Sequence, residues 1–141
     1  MAKVKKQKKS KSKARIKSQP KKEARYTPKG RIYLTATFNN TIITVTDEEG
    51  KVIYWNSCGK SGFSGTRKST PFAATSTIEQ TLNEVRDKNG LAKAVVYVKG
   101  AGPGRDALIR VLRNSALDIS KLVDLTPIPH NGVRPKKRRR V

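Results

Sequence analysis

Apolar and polar positions alternate with a period of two through Ile32, Tyr33, Leu34, Thr35, Ala36, Thr37 and Phe38, the signature of a half-buried strand. Asn39-Asn40 supplies a turn, because asparagine tolerates positive φ. Thr41 to Thr46 returns as a β-branched strand, Asp47-Glu48-Glu49-Gly50 turns again, and Lys51 to Asn56 makes a third strand. The pattern predicts an antiparallel meander. The period then changes. Ala74, Ile78, Leu82 and Val85 recur at spacings of four, four and three, which predicts a helix from about Pro71 to Asn89. Thr70 suits its N-cap, Pro71 its first position, and Asn89-Gly90 its stop. Ala92 to Lys99 is nearly all apolar at its centre, as for a strand covered on both faces. A second helix follows from about Arg105 to Ser115, with Leu108, Val111 and Leu112 as its stripe. Ile119 to Leu125 then forms a fifth strand, parallel to the fourth by a right-handed crossover. The predicted class is α/β (α+β): a mixed five-stranded sheet with two helices, on one face or on both.

Charge divides the chain differently. The formal net charge is +22 over 141 residues. Residues 1–31 hold fourteen lysines or arginines against the single acid Glu23, and residues 130–141 hold six with no acid. The middle carries twelve basic and nine acidic residues, an ordinary globular balance. The expected organisation is a disordered basic extension at 1–28, a globular domain at 29–129 and a basic tail at 130–141. Such tails cannot bury enough apolar surface to fold alone, and they bind polyanions by releasing counterions. Two cationic ends on a small chain are the footprint of nucleic-acid binding.

The stretch Ser57 to Pro71 joins strand to helix and concentrates the candidate chemistry. Lys60, Arg67 and Lys68 neutralise phosphates, and Ser61, Ser64, Thr66 and Ser69 offer hydroxyls between them. Gly59, Gly62 and Gly65 allow close backbone approach, and Phe63 either stacks on a base or folds onto the protein. A second glycine loop, Gly100-Ala101-Gly102-Pro103-Gly104, also precedes a helix, with Lys99 and Arg105 beside it. Helix N-termini seat phosphates through unpaired N–H groups, though this second loop also fits a tight turn without a ligand.

Other classes are weaker. The spacing Gly100-x-Gly102-x-Gly104, with Asp124 about twenty residues on, suggests a nucleotide-binding enzyme as the alternative. Its third glycine comes one position early for a dinucleotide fingerprint, and the 59–70 loop lacks the P-loop pattern. His130 is the lone histidine, with no nucleophile or acid placed beside it by sequence, so no catalytic residue is assigned. One cysteine, Cys58, excludes an internal disulfide and a multi-cysteine zinc site, so neither metal nor cofactor is expected. No apolar run reaches the ~20 residues of a membrane span. The absence of targeting signals leaves the cytosol of a bacterium, which is the expectation favoured, or an organelle that makes the protein itself. No membrane partner and no homo-oligomer are expected. Asn131-Gly132, in an irregular segment, invites slow backbone rearrangement at Asn131.

Longer motifs now bear on the reading. Gly59-Lys60-Ser61-Gly62-Phe63, Gly65 to Ala74, Val98-Lys99-Gly100, Gly102-Pro103-Gly104-Arg105 and Asp124 to Pro135 closely resemble the bacterial form of the eleventh small-subunit ribosomal protein. The likeness spans about residues 29–141. It departs at Val133, where many members have cysteine, at Ala116, where glycine is frequent, and at Cys58, where alanine is common. The resemblance implies a ribonuclease-H-like topology and a structural, non-enzymatic role. It implies contact with small-subunit ribosomal RNA in the platform, near the cleft where messenger RNA leaves and its Shine-Dalgarno region is held. It implies the sixth, seventh, eighteenth and twenty-first small-subunit proteins as neighbours. The RNA-binding residues it implies are Lys60, Ser61, Phe63, Ser64, Thr66, Arg67, Lys68 and Ser69 in the first loop, and Gly102, Gly104 and Arg105 in the second. From the tail it adds His130, Asn131, Arg134, Lys136, Lys137, Arg138 and Arg139.

Overall fold

A computed structural model describes residues 26–134, 136 and 137. The expected 1–28 extension, apart from its last three residues, lies outside the described residues, as do Arg138 and Arg139. Five strands and two α-helices follow in the order predicted: β1 (Lys29–Ala36), β2 (Thr41–Thr46), β3 (Val52–Ser57), α1 (Pro71–Asn89), β4 (Lys93–Lys99), α2 (Gly104–Asn114) and β5 (Asp118–Asp124). A short 3₁₀ turn, Gly65–Ser69, precedes α1. The sheet order is β3-β2-β1-β4-β5. β1, β2 and β3 are antiparallel neighbours, while β4 is parallel to both β1 and β5. This is the ribonuclease-H-like arrangement.

The crossovers β3-α1-β4 and β4-α2-β5 run in the same direction across the sheet. Right-handed connections therefore put both helices on one face. They pack on each other and on the sheet there. Ile32, Leu34, Ile43, Val45, Ala94, Val96 and Val98 point into that layer and meet Ala74, Ile78, Leu82, Val85, Leu108 and Val111. The expectation that β4 is covered on both faces is corrected: Val95 and Tyr97, on its far side, are only half-buried. Its apolar centre reflects a central position in a sheet that is open on one side.

Local chemistry sets the boundaries. β1 ends at Ala36 because Thr37 turns the chain: its N–H and hydroxyl both donate to the Asn40 carbonyl, at 2.9 Å each. Phe38, which continues the sequence alternation, is thus outside the strand and 74% exposed. The Thr70 hydroxyl accepts from Ala73 N–H at 3.2 Å to cap α1, and Gly90 closes it at φ 67°. The body also reaches into the end of the expected extension. Thr27 N–H donates to Asn89 O at 2.8 Å, and Pro28 O accepts from Ala92 and Lys93.

Candidate nucleic-acid interface

Strands β1, β3, β4 and β5 point the same way, so the turn 37–40, the loop 58–70, the loop 100–104 and the exit from β5 share one end of the sheet. Thr41 links three of them. Its carbonyl accepts from Cys58 N–H at 3.1 Å, and its side chain lies against Gly104. The two glycine loops of the sequence therefore stand on either side of the β1–β2 turn.

The first loop is built to hold an open shape. Phe63 N–H donates to Cys58 O and Ser61 N–H to Ser57 O, while Cys58 itself is buried beneath. Gly62 and Gly65 take φ of 95° and 56°, and a Cβ at either would meet nothing within 4 Å. Their role is conformational. The 3₁₀ turn carries Arg67 and Lys68 up to the N-terminus of α1, whose first turn has no acid. Arg67 reaches only the Ser64 hydroxyl, at 3.4 Å, and no described carboxylate pairs with Arg67 or Lys68. Ser69 and Thr66 are tied together through the Ser69 hydroxyl and Thr66 O at 2.7 Å. Ser61 reaches across to Gln80 on α1.

Lys60 is held differently from its two fellow cations. Its ammonium donates to Trp55 O at 2.9 Å and lies 4.6 Å from the Trp55 ring centre and 4.8 Å from that of Tyr54. This is a folded-back cation over two ring faces. Phe63 is half-buried, with its ring edge-on to Phe72 at 6.2 Å. Phe72 itself is 73% exposed. Phe38 and Phe72 are aromatics at this end that sequence patterning did not single out. The signal for Phe38 was the Asn-Asn turn beside it; Phe72, directly after a helix-starting proline, falls off the α1 stripe.

The second loop is closed. A Cβ on Gly100 would run into Ala36 O, one on Gly102 into Thr37 O, and one on Gly104 would lie 2.5 Å from Thr41 Oγ1. Gly102 N–H already donates to Ala36 O at 3.0 Å. Gly102 and Gly104 are buried, so these glycines serve close packing against the β1–β2 turn. Arg105 locks the loop to β5. Its guanidinium donates to Gly100 O and Thr126 Oγ1, both at 3.1 Å, and to Asp124 Oδ2 at 2.8 Å. Asp124 also accepts from the Thr126 hydroxyl and N–H. These donors, Arg105 first, hold the Asp124 carboxyl well below the usual carboxylate range, and the same pair raises Arg105. The carboxylate that a dinucleotide site would use on ribose is thus committed within the protein.

The described part of the tail, including His130, Asn131, Arg134, Lys136 and Lys137, is exposed and irregular. Asn131 takes φ 54°, the one positive value among the described non-glycine residues. No group of side chains among the described residues is arranged to hold a metal ion, and no helix among them is long and apolar enough to cross a membrane.

The sequence model of the family described as ribosomal protein S11 matches residues 30–140. The chain is 51% identical over 120 residues to small ribosomal subunit protein uS11c of Lemna minor, covering 85% of this chain and 86% of that one. It is 51% identical over 124 residues to the uS11c of Gossypium hirsutum, covering 88% and 89%. For Eucalyptus globulus uS11c the figure is 48% over 130 residues, covering 92% and 94%. These relatives are the chloroplast-type form from plants. They point to an organellar ribosome and correct the bacterial cytoplasm expected above. Basic charge and scarce cysteine suit ribosomes of either kind, so composition did not separate the two. By sequence the chain belongs to the ribosomal protein S11 family, a structural and non-enzymatic protein of the small ribosomal subunit, with ribosomal RNA and other small-subunit proteins as partners.

Proposed function

We propose that this protein clamps a folded segment of small-subunit ribosomal RNA in the platform, near the cleft where messenger RNA leaves. The loop 59–70 is the primary contact. Arg67 and Lys68 meet phosphates, the hydroxyls of Ser61, Ser64, Thr66 and Ser69 add hydrogen bonds, and Phe63 with Phe72 presents an aromatic edge to a base or ribose. His130, Asn131, Arg134, Lys136, Lys137, Arg138 and Arg139 extend the contact along the backbone. Gly102, Gly104 and Arg105 act at this surface by setting its shape, and Lys60 by bracing the loop. The sixth, seventh, eighteenth and twenty-first small-subunit proteins are the proposed neighbours.

The observation that carries this reading is the pair Arg67 and Lys68. Among the described residues they have no carboxylate partner, and they stand at a helix N-terminus on the same end of the sheet as the exit toward the basic tail. Phosphate contacts of this kind position a protein on RNA and make its binding salt-dependent. The full chain should bind small-subunit ribosomal RNA, with affinity falling steeply as salt rises, and should co-sediment with small subunits. Binding to unrelated duplex of equal length with the same affinity and slope would contradict recognition of a folded junction.

A further inference from the structure

Because both helices cover one face of the sheet, its other face has no covering layer from the described chain. The register aligns a row across that face: Trp55 on β3, Thr44 on β2, Tyr33 on β1, Tyr97 on β4 and Val123 on β5. Tyr33 and Tyr97 stack with ring centres 4.9 Å apart and planes 11° from parallel. Their outer neighbours in the row, Thr44 and Val123, are not aromatic, so each ring keeps one face without an aromatic partner. Cations stand on both sides of the row. Arg31 and Lys121 flank Val95 on one side, and Lys99 pairs across from Thr35 on the other.

Beside the stack lies a surface pocket of about 450 Å³, lined by Lys29, Arg31, Lys93, Tyr97 and Ser120, with Glu48 as its one acid. Arg31 lies two residues before Tyr33 on the same face of β1, across from Val95. Lys93 pairs with Asp118 at 3.1 Å, both side chains being more than half exposed. An exposed pair of this kind is worth little and exchanges readily for a phosphate. The pocket has the volume of a small-ligand site.

We propose that this open sheet face is a second RNA site, taking an unpaired base of a single strand against the Tyr33–Tyr97 stack, with the adjoining phosphate in the Lys29, Arg31 and Lys93 pocket. Aromatics on adjacent central strands of an open sheet, bordered by cations, offer a ring face to any base and charge to its backbone. A duplex cannot use such a site, since its bases are already stacked. Excess positive charge favours RNA over an apolar protein segment. The site lies on a different surface from the 59–70 loop, so the two can fail separately.

The test uses the full chain and a short oligouridylate carrying one 4-thiouridine, photo-crosslinked at a salt concentration that screens the tails. Crosslinks are expected in the peptides containing Tyr33 or Tyr97. Tyr33→Leu with Tyr97→Leu should weaken oligonucleotide binding about tenfold, while Phe at both positions should leave it unchanged. Arg67→Ala with Lys68→Ala should leave these crosslinks in place. Crosslinks confined to the loop and tails would overturn the proposal, and wild-type protein alone decides this if the leucine variant does not fold. A folded leucine variant with full oligonucleotide affinity would also overturn it. So would one impaired only in joining other small-subunit proteins, which would make the face a protein contact.

Discussion

The loops 58–70 and 100–104 invite direct comparison. Each leaves the C-terminal end of a strand, each carries three glycines, and each leads into a helix at the same end of the sheet. They differ in what their glycines face. Added Cβ atoms at Gly62 and Gly65 would meet nothing, whereas those at Gly100, Gly102 and Gly104 would strike the protein's own β1–β2 turn. They differ also in their arginines. Among the described residues the Arg67 side chain touches only a serine hydroxyl, while Arg105 is spent on Gly100, Asp124 and Thr126. Under the proposed function, one loop is a surface for a partner; the other is a joint. Similar composition thus served opposite purposes, and only packing told them apart.

The largest expected effect tests the joint. Gly102→Ala should cost about 3 kcal/mol, because the methyl has only backbone to displace. Gly62→Ala should cost about 1 kcal/mol, for its positive φ alone. Denaturant midpoints at unchanged slope would measure both. Equal costs would erase the distinction between the loops.

Next comes the lock on β5. The Asp124 carboxyl is depressed in the folded protein, so its contribution to stability is present above the ordinary carboxylate value and is lost as pH falls toward the folded one. Asp124→Asn should lower the melting temperature at neutral pH and flatten its decline below about pH 4. An acid limb identical to wild type would show that the Arg105–Asp124 pair does not stabilise the joint.

The smallest effect concerns Lys60. With its ammonium over Tyr54 and Trp55, Lys60→Ala should cost about 0.5 kcal/mol and alter the emission of Trp55, the sole tryptophan. It should weaken RNA binding less than Arg67→Ala does. A larger loss than that of Arg67→Ala would mean that Lys60 leaves the rings to meet RNA.

Much of the fold was legible because local rules suffice for it. Thr70-Pro71 and Asn89-Gly90 bracket α1, and the alternation through Ile32, Leu34 and Ala36 marks the buried side of β1. Part of what escaped depended on partners distant in sequence. One-sided coverage of the sheet follows from strand order, which no local pattern states. Val95 and Tyr97 look like core residues until both crossovers are seen to run the same way. Phe38 continues the alternation but falls past the strand, since Thr37 has already bonded to Asn40. In the loop, the number of cations was plain from sequence. That Lys60 is retained by aromatic rings and Arg105 by a carboxylate was not, because those contacts depend on how each loop folds back on strands β3 and β5.

The most direct measurement of the central claim is the salt dependence of small-subunit ribosomal RNA binding, plotted log against log. Arg67→Ala with Lys68→Ala is compared with Arg105→Ala under conditions where both are folded. Removing two loop cations should lower the slope by about two units, while removing Arg105 should leave it near the wild-type value. A wild-type slope for the double variant, with a reduced one for Arg105→Ala, would contradict the assignment of partner surface and joint.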